Sequence, residues 1–226
     1  MKTLAILPVK SFGAAKQRLS ETLGAPSRQA LAQAMFTDVL SAALRAPELD
    51  GIVVVTSDEA AEATATGERV RVLPDDGRPG HSRAALIGVR HALDEGYERV
   101  LVIAGDTPLV QPDELAGLLT DGPGVVIAPD RHGTGTNALA LCPPDAIEPS
   151  FGPGSCERHV AAAREAGVAH RVAHIRALAL DVDTPADLAE LATELDLRPG
   201  QPSTTRDALH RLDRDGQPVR VAQAPA

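Results

Sequence analysis

A lone carboxylate at the end of an apolar run is the first residue in this chain that could do chemistry. Residues 99–109 read Arg-Val-Leu-Val-Ile-Ala-Gly-Asp-Thr-Pro-Leu, so Asp106 follows a short run of apolar and small residues. Such a run is typical of a strand buried on both faces, and open α/β sheets bind ligands beyond the carboxyl ends of their strands. Asp106 is therefore either a metal ligand or an aspartate that caps its own turn.

A second carboxylate, Asp181, ends another apolar run, which predicts a strand over Ala177–Leu180. Either Thr184 or Asp183 can cap the helix that follows, so Asp181 is not needed as a cap. Aspartate oxygens, together with phosphate oxygens and water, are ligands that Mg²⁺ prefers. We therefore expect Asp106 and Asp181 to hold a magnesium ion.

Three cations, Lys10, Lys16 and Arg18, lie within nine residues after the first apolar run of the chain. A basic loop is commonly just a solvated surface. Here the rest of the chain is acidic, and the loop follows the first strand, which usually lies near the centre of such a sheet. We therefore expect these side chains to contact a polyphosphate.

Two glycine-containing loops could bind a phosphate. Residues 130–136 read Asp-Arg-His-Gly-Thr-Gly-Thr, a composition that lets backbone N–H groups converge and adds threonine hydroxyls. Residues 150–155 read Ser-Phe-Gly-Pro-Gly-Ser and precede a predicted helix, whose N-terminus attracts anions. Each loop also has an ordinary interpretation, the first as a turn between strands and the second as an N-cap at Ser155.

Strand-length apolar runs alternate with helical patterns along most of the chain, which predicts a mainly parallel sheet with crossover helices. The predicted strands are Thr3–Pro8, Ile52–Thr56, Val70–Leu73, Val100–Ala104, Val125–Ala128, Ala138–Leu141 and Ala177–Leu180. The predicted helices are Ser27–Leu44 with Ser27 as N-cap, Glu59–Thr66, Ser82–Glu95, Pro112–Leu119, Cys156–Ala166 and Thr184–Leu195. Only a loop separates the fifth and sixth strands, so we expect that pair to be antiparallel and the sheet to be mixed.

Composition limits the class of protein. The chain has 226 residues, of which 43% are hydrophobic and 2% aromatic, and a formal net charge of -9. The acidic balance argues against nucleic acid as a partner.

Because no signal peptide and no apolar span of the ~20 residues that a membrane helix needs is evident, we expect a cytoplasmic protein that does not contact the membrane. The two cysteines form no CxxC pair, and residues 198–226 are expected to be a loosely ordered extension.

The chain lacks both GxxxxGK[ST] and a GxGxxG after the first strand, so it carries neither a P-loop nor a dinucleotide fingerprint. Its motifs, taken in order, resemble instead the CofC/FbiD-type guanylyltransferases of deazaflavin coenzyme F-420 biosynthesis, within the wider nucleotidyltransferase class. The resemblance covers about residues 4–195 and rests on residues 8–10 with 15–19, 104–109, 130–136, 151–155 with 158–159, and 181–188. It implies an α/β fold, a single nucleotidyltransferase-like (GT-A/Rossmann-like) domain over residues 1–197, with a mixed, mainly parallel sheet flanked by helices.

The resemblance implies transfer of GMP from GTP to the phosphate of a small phosphorylated acid, with release of pyrophosphate. Phosphoenolpyruvate is the first candidate acceptor, and 2-phospho-L-lactate and 3-phospho-D-glycerate are the others. The implied catalytic residues are Lys10, Lys16, Arg18 and Asp106, of which the three cations face the nucleotide phosphates. Asp106 and Asp181 are implied to hold Mg²⁺, and Thr136, Gly152 and Ser155 to bind the acceptor. A homo-oligomer and a downstream deazaflavin-transferring enzyme are further implied partners.

One position departs from the family pattern and three alternatives stay open. Ser82-Arg83 stands where a Leu-Asn pair is expected near the nucleotide, so Arg83 could add a contact to GTP. The alternatives are another nucleotidyltransferase, a glycosyltransferase that uses Asp181-Val-Asp183 as its metal-binding DxD, and a nucleotide-binding regulator without turnover. Release of pyrophosphate would separate these alternatives.

Overall fold

Strands and helices alternate along most of the chain. The computed structural model describes residues 1–75, 80–119, 122, 124–199, 203–217 and 219. The strands are β1 (Thr3–Pro8), β2 (Gly51–Thr56), β3 (Arg71–Pro74), β4 (Arg99–Ile103), β5 (Gly124–Pro129), β6 (Thr136–Cys142) and β7 (His170–Val172). The helices are α1 (Ala25–Leu44), α2 (Glu59–Gly67), α3 (His81–Asp94), α4 (Pro112–Ala116), α5 (Ser155–Glu165), α6 (Arg176–Ala179), α7 (Pro185–Asp196) and α8 (Thr204–Arg214).

Within the described residues, the strands form one sheet in the order β3-β2-β1-β4-β6-β5-β7. β1 pairs in parallel with β2 and β4, and β2 pairs in parallel with β3. β6 is antiparallel to both β4 and β5, while β7 is parallel to β5. The mixed, mainly parallel sheet is therefore confirmed, as is the antiparallel β5–β6 pair.

This topology gathers several chain segments at one end of the sheet, which we call the carboxyl edge. There β1 ends at Pro8, β2 at Thr56, β4 at Ile103 and β5 at Pro129. Since β6 runs in the opposite direction, it contributes its first residue, Thr136, to the same edge. The loops that leave this edge can converge on one ligand, as is usual for open α/β sheets.

The core has one layer on each face of the sheet. Alternate strand residues point to opposite faces, so Ala5 and Leu7 pack with Phe36 of α1 on one face, while Ile6 packs with residues of α3 on the other. The crossing of α3 over β1 is close, because a Cβ on Gly88 would lie only 2.4 Å from the Ile6 side chain. Glycine at this position lets α3 lie close to the sheet, with its N-terminus towards the carboxyl edge.

Two local predictions are wrong. Ala177–Leu180 is not a strand: residues 176–179 form α6, and the seventh strand is β7 instead. The run Ala-Leu-Ala-Leu signals burial but consists of helix-forming residues without β-branching. α1 begins at Ala25 with Gly24 as its N-cap, so Ser27 lies inside the helix and does not cap it.

The C-terminal region contains a helix packed on the domain. Leu209 and Leu212 of α8 are buried in a cluster that includes residues of α1 and α7. Asp38 of α1 accepts hydrogen bonds from Ser203 Oγ at 2.8 Å and from the backbone N–H groups of Thr204 and Thr205 at 2.8 and 2.9 Å. The expected loose extension is therefore wrong for residues 203–217, while residues 200–202, 218 and 220–226 of that extension lie outside the described residues. No described helix is long and apolar enough to cross a membrane.

The Asp38 contacts lead to a stability prediction. Replacing Asp38 by Ala removes the acceptor for three donors at the start of α8, so the free energy of unfolding should fall by about 1–3 kcal/mol. Urea denaturation followed by circular dichroism measures this change. Glu48→Ala serves as the control, because it removes an exposed acid from the loop after α1. It should change the free energy of unfolding by less than about 0.5 kcal/mol. Equal stability of the two variants would contradict the anchoring role of Asp38.

Candidate active site

Asp106 and Asp181 approach each other through β6. The backbone N–H of Ala104, just after β4, donates to the carbonyl of Asn137 at 2.8 Å. The Asn137 side chain in turn donates to the Leu178 carbonyl at 2.8 Å and to Asp181 Oδ1 at 3.1 Å. Asn137 therefore holds the segment that carries Asp181 against the strand that neighbours β4, and both carboxylates lie at the carboxyl edge.

Lys16 connects the loop after β1 to these acids. Its Nζ donates to Asp106 Oδ2 at 2.6 Å and to Asp183 Oδ1 at 3.1 Å. The Lys16 side chain is only 7% exposed, whereas those of Asp106 and Asp183 are 31% and 47% exposed. The Lys16 backbone has φ +56°, a left-handed conformation that non-glycine residues seldom adopt. Such backbone strain is concentrated at functional sites.

The charges in this group shift one another's pKa values. Burial lowers the pKa of Lys16, but the charges of Asp106 and Asp183 outweigh it, so the pKa of Lys16 is raised and the ammonium stays charged. Burial opposes ionisation of Asp106, but Lys16 holds the pKa of Asp106 below its ordinary value. The pKa of Asp181 is raised, first by burial and then by the charge of Asp106. Burial and the neighbouring carboxylate thus both disfavour the charged form of Asp181, and a cation bound beside it would lower its pKa.

The two glycine loops meet through a buried group of polar side chains. Ser155 Oγ and Thr136 Oγ1 lie 3.1 Å apart, and Thr136 Oγ1 lies 3.1 Å from Nδ1 of His159. These three side chains are buried. The second loop turns at Gly152 and Gly154, whose φ angles of +105° and +73° suit glycine. Thr136, Gly152 and Ser155 therefore lie within one small region, and their role towards the acceptor stays a prediction.

Other contacts fix the loop of residues 150–154. His159 Nε2 accepts a hydrogen bond from the Ser150 N–H at 2.9 Å. The Arg158 guanidinium donates to Ser150 Oγ, to the Ser150 carbonyl and to the Pro153 carbonyl at 2.9, 2.9 and 2.5 Å. The Phe151 N–H donates to Ser82 Oγ at 2.8 Å, which ties the loop to the first turn of α3. Burial and the Arg158 charge lower the pKa of His159 to about 4, so its ring is neutral near pH 7.

Comparison with known proteins decides the family. Residues 3–223 match the family model described as "Guanylyl transferase CofC like". The chain belongs to this family. It is 48% identical over 216 residues to a phosphoenolpyruvate guanylyltransferase from Conexibacter woesei, a match that covers 94% of this chain and 97% of that protein. The phosphoenolpyruvate guanylyltransferase from Sphaerobacter thermophilus is 40% identical over 195 residues, covering 85% and 93%.

Solved structures confirm the nucleotidyltransferase-like fold of this CofC-like chain. A protein from Desulfovibrio desulfuricans assigned as a nucleotide-diphospho-sugar transferase superposes with a TM-score of 0.79 at 20% identity, covering 98% of this chain and all of that one. A nucleotidyl transferase from Methanothermobacter superposes with a TM-score of 0.66 at 22% identity, covering 88% and 99%. At these identities the likeness concerns the fold alone.

The predicted basic residues of this CofC-like protein have different surroundings in the structure. Lys16 contacts Asp106 directly, as described above. Lys10 Nζ lies 2.9 Å from Asp75, the residue that follows β3. Arg18 is exposed on the short turn Gln17–Leu19, after Lys16. The expected contacts of Lys10 and Arg18 with nucleotide phosphates stay predictions.

Sequence analysis missed the roles of Asp183 and His159. Asp183 was weighed as a helix cap and, in one alternative, as part of a metal-binding DxD. Thr184 instead caps α7 in a capping box with Asp187, and the Asp183 side chain binds Lys16. The signal for His159 was its spacing: it follows Ser155 by four residues on α5, so both side chains lie on one face of that helix.

The lowered pKa of His159 predicts a pH dependence of stability. Because an unfolded histidine binds a proton below about pH 6.5 and the folded His159 only below about 4, unfolding takes up a proton between these values. Stability contributed by the neutral ring is therefore present above pH 6.5 and is lost as the pH falls towards 4, by on the order of 3 kcal/mol in all.

Urea denaturation at a series of pH values, run on the wild type and on His159→Phe, measures this effect. The stability of the wild type should decline more steeply than that of the variant between pH 6.5 and 4. Because desolvation also lowers the pKa of His81 in both proteins, only the difference between the two curves reports on His159. Parallel curves would contradict the assignment.

Proposed function

We propose that this chain transfers GMP from GTP to the phosphate of phosphoenolpyruvate and releases pyrophosphate. The carrying observation is that two consecutive residues of β6 serve two different groups. Thr136 contacts Ser155 and His159 of the second glycine loop and α5, whereas Asn137 binds Asp181. Lys16 with its aspartates and the Thr136–Ser155 hydroxyl pair thus lie on either side of the start of β6. This arrangement suits two anionic substrates that must be held next to each other to react. The named activity of the two bacterial relatives supports the same reaction.

The reaction needs no nucleophile from the protein. An oxygen of the acceptor phosphate attacks the α-phosphorus of GTP; a phosphorus–oxygen bond forms there while the bond from the α-phosphorus to the pyrophosphate oxygen breaks. Because the attacking phosphate is already ionised, no proton has to be removed from it. The protein's task is to position the two anions and to offset their charge.

Charge compensation is the larger part of that task. Two unit charges about 4 Å apart repel by ~4 kcal/mol at an effective dielectric constant near 20. Lys16 places a fully ionised ammonium at the carboxyl edge, where the phosphates would meet. Lys10, Arg18 and Arg83 are the further cations proposed to face GTP.

The acceptor would lie against the second glycine loop. Thr136 and Ser155 offer hydroxyl groups there, and the N-terminus of α5 adds the positive end of its dipole. Gly152 lets the backbone turn there through its φ of +105°, a conformation that suits glycine. Ser82 accepts a hydrogen bond from the Phe151 N–H, so α3, the helix proposed to face the nucleotide, is joined directly to the second glycine loop.

The acids fit a magnesium ion. Asp106 and Asp181 supply hard oxygen donors, and a cation bound beside them would offset the burial and the like charge that raise the pKa of Asp181. Among the described residues, no group of three or more His, Cys, Asp or Glu side chains is arranged to bind a metal ion by itself. The protein would therefore supply only part of the ligand set, with substrate phosphates and water as the rest. When bound, Mg²⁺ supplies charge stabilisation for the phosphates.

A pyrophosphate-release assay tests the function. GTP, ATP and CTP are each combined with phosphoenolpyruvate, 2-phospho-L-lactate and 3-phospho-D-glycerate in the presence of Mg²⁺. We expect turnover with GTP and phosphoenolpyruvate, and a guanylylated product that a deazaflavin-transferring enzyme could consume. A glycosyltransferase that used Asp181 and Asp183 would release a nucleoside diphosphate instead. Absence of pyrophosphate with every pair of substrates would overturn the proposed reaction.

Asp106→Asn should lower kcat/KM by more than about tenfold, because the variant loses a charge that holds Lys16 and the proposed metal. Asp145→Asn makes the same chemical change after β6, at the opposite edge of the sheet, where Asp145 is exposed. That control should keep its activity within about twofold. Full activity of Asp106→Asn would contradict the role of this carboxylate.

Lys16→Met keeps most of the side-chain volume but removes the ammonium. We expect kcat/KM for GTP to fall by more than about tenfold, since phosphate charge is then less well offset. Lys2→Met is the matched control, because Lys2 precedes β1 at the far edge. Steady-state kinetics with GTP as the varied substrate distinguish the two. If both variants behaved alike, Lys16 would have no role towards the nucleotide.

A further inference from the structure

The ring of His159 connects the two loops that flank the proposed acceptor site. The side chain is fully buried, and both of its nitrogens have partners. Nε2 faces the Ser150 N–H at 2.9 Å, while Nδ1 faces Thr136 Oγ1 at 3.1 Å. The Phe151 ring packs edge-on against it, with ring centroids 5.4 Å apart. The imidazole is thus fixed by packing as well as by hydrogen bonds.

The backbone determines which ring nitrogen carries the hydrogen. The Ser150 N–H can only donate, so Nε2 must accept and cannot be protonated. In a neutral imidazole the single hydrogen then resides on Nδ1. Nδ1–H consequently donates to Thr136 Oγ1, although a histidine of the other tautomer would accept from that hydroxyl.

This tautomer changes what the hydroxyl groups can offer. Thr136 and Ser155 have two hydroxyl hydrogens between them, and their mutual contact at 3.1 Å uses one. Because His159 donates, it takes neither, so one hydroxyl hydrogen remains for another acceptor. Thr136 is 7% exposed and Ser155 is 0% exposed, which favours Ser155 donating to Thr136 and Thr136 donating outward.

We propose that His159 is a positioning residue for the acceptor, holding the Thr136–Ser155 pair so that a hydroxyl hydrogen is directed at an anionic oxygen of phosphoenolpyruvate. The inference rests on the proposed function. His159 itself does not touch the substrate. Arg158 supports the arrangement, because its guanidinium binds the Ser150 carbonyl and hydroxyl and so keeps the Ser150 N–H in place.

Two amide variants separate this role from a merely structural one. In His159→Asn the side-chain NH₂ group lies near the position of Nδ1 and can still donate to Thr136. In His159→Gln the side-chain oxygen lies near the position of Nε2 and can still accept from Ser150. His159→Phe fills the space and makes neither bond. Thermal unfolding of all three variants verifies that each is folded before kinetics are measured.

The variants are compared by KM for phosphoenolpyruvate, KM for GTP and kcat. We expect His159→Gln and His159→Phe to raise KM for phosphoenolpyruvate by about tenfold, as for a lost hydrogen bond to a charged group. KM for GTP should stay within about twofold, and His159→Asn should recover most of the loss. Equal KM values for the Asn and Gln variants, or a matching rise in KM for GTP, would overturn the proposal.

A second measurement does not depend on turnover. ¹⁵N NMR of the histidine ring nitrogens, with the His159 signals identified by their loss in His159→Asn, reports which nitrogen is protonated near pH 7. The proposal requires a hydrogen on Nδ1, and a hydrogen on Nε2 would overturn it even if the wild type were inactive. A wild type that releases no pyrophosphate overturns the proposed function, whereas an active wild type with equal Asn and Gln variants overturns only the role of His159.

Discussion

The balance of charge around one buried ammonium sets the geometry of the site. Lys16 is buried against Asp106 and Asp183, and a buried cation is tolerated only when it is paired. The pair with Asp106 depends on β1 and β4 being neighbours, because Lys16 follows the one and Asp106 follows the other. The order of strands in the sheet therefore determines whether this contact can form, and the left-handed backbone at Lys16 is the local cost of making it.

The reversed strand β6 adds the second half of the site. Had β6 run parallel to β4, its last residue, Cys142, would lie at the carboxyl edge in place of Thr136. As it is, Thr136 and Asn137 begin the strand there, and their side chains point to opposite faces. Thr136 therefore contacts Ser155 after the second glycine loop, and Asn137 holds Asp181. The antiparallel strand β6 thus places Lys16 and its aspartates beside the Thr136–Ser155 hydroxyl pair.

Sequence patterns predicted the elements whose burial is uniform. β1, β4 and β6 are buried along their whole length, so an apolar run identifies them. β7 lies at the edge of the sheet with Arg171 and Val172 exposed, and its sequence therefore carries no such run. The four residues at 177–180 are too few to distinguish a period of two from one of 3.6, so burial alone was mistaken for a strand. α8 was missed although its N-cap, Ser203, is local, because the helix is mostly polar and its buried apolar face consists only of Ala208, Leu209 and Leu212.

Within the candidate site, the sequence identified the residues that follow apolar runs but not the residues with which they form contacts. Asp106 and Asp181 were found because each follows such a run, whereas the partners of Lys16 are 90 and 167 residues away from it. No local pattern encodes contacts at that separation. The contact matters because the Lys16 ammonium pairs with Asp106, one of the two carboxylates proposed to bind a metal. A metal at Asp106 would compete with Lys16 for that carboxylate, so the ammonium could then face the phosphates of the proposed nucleotide.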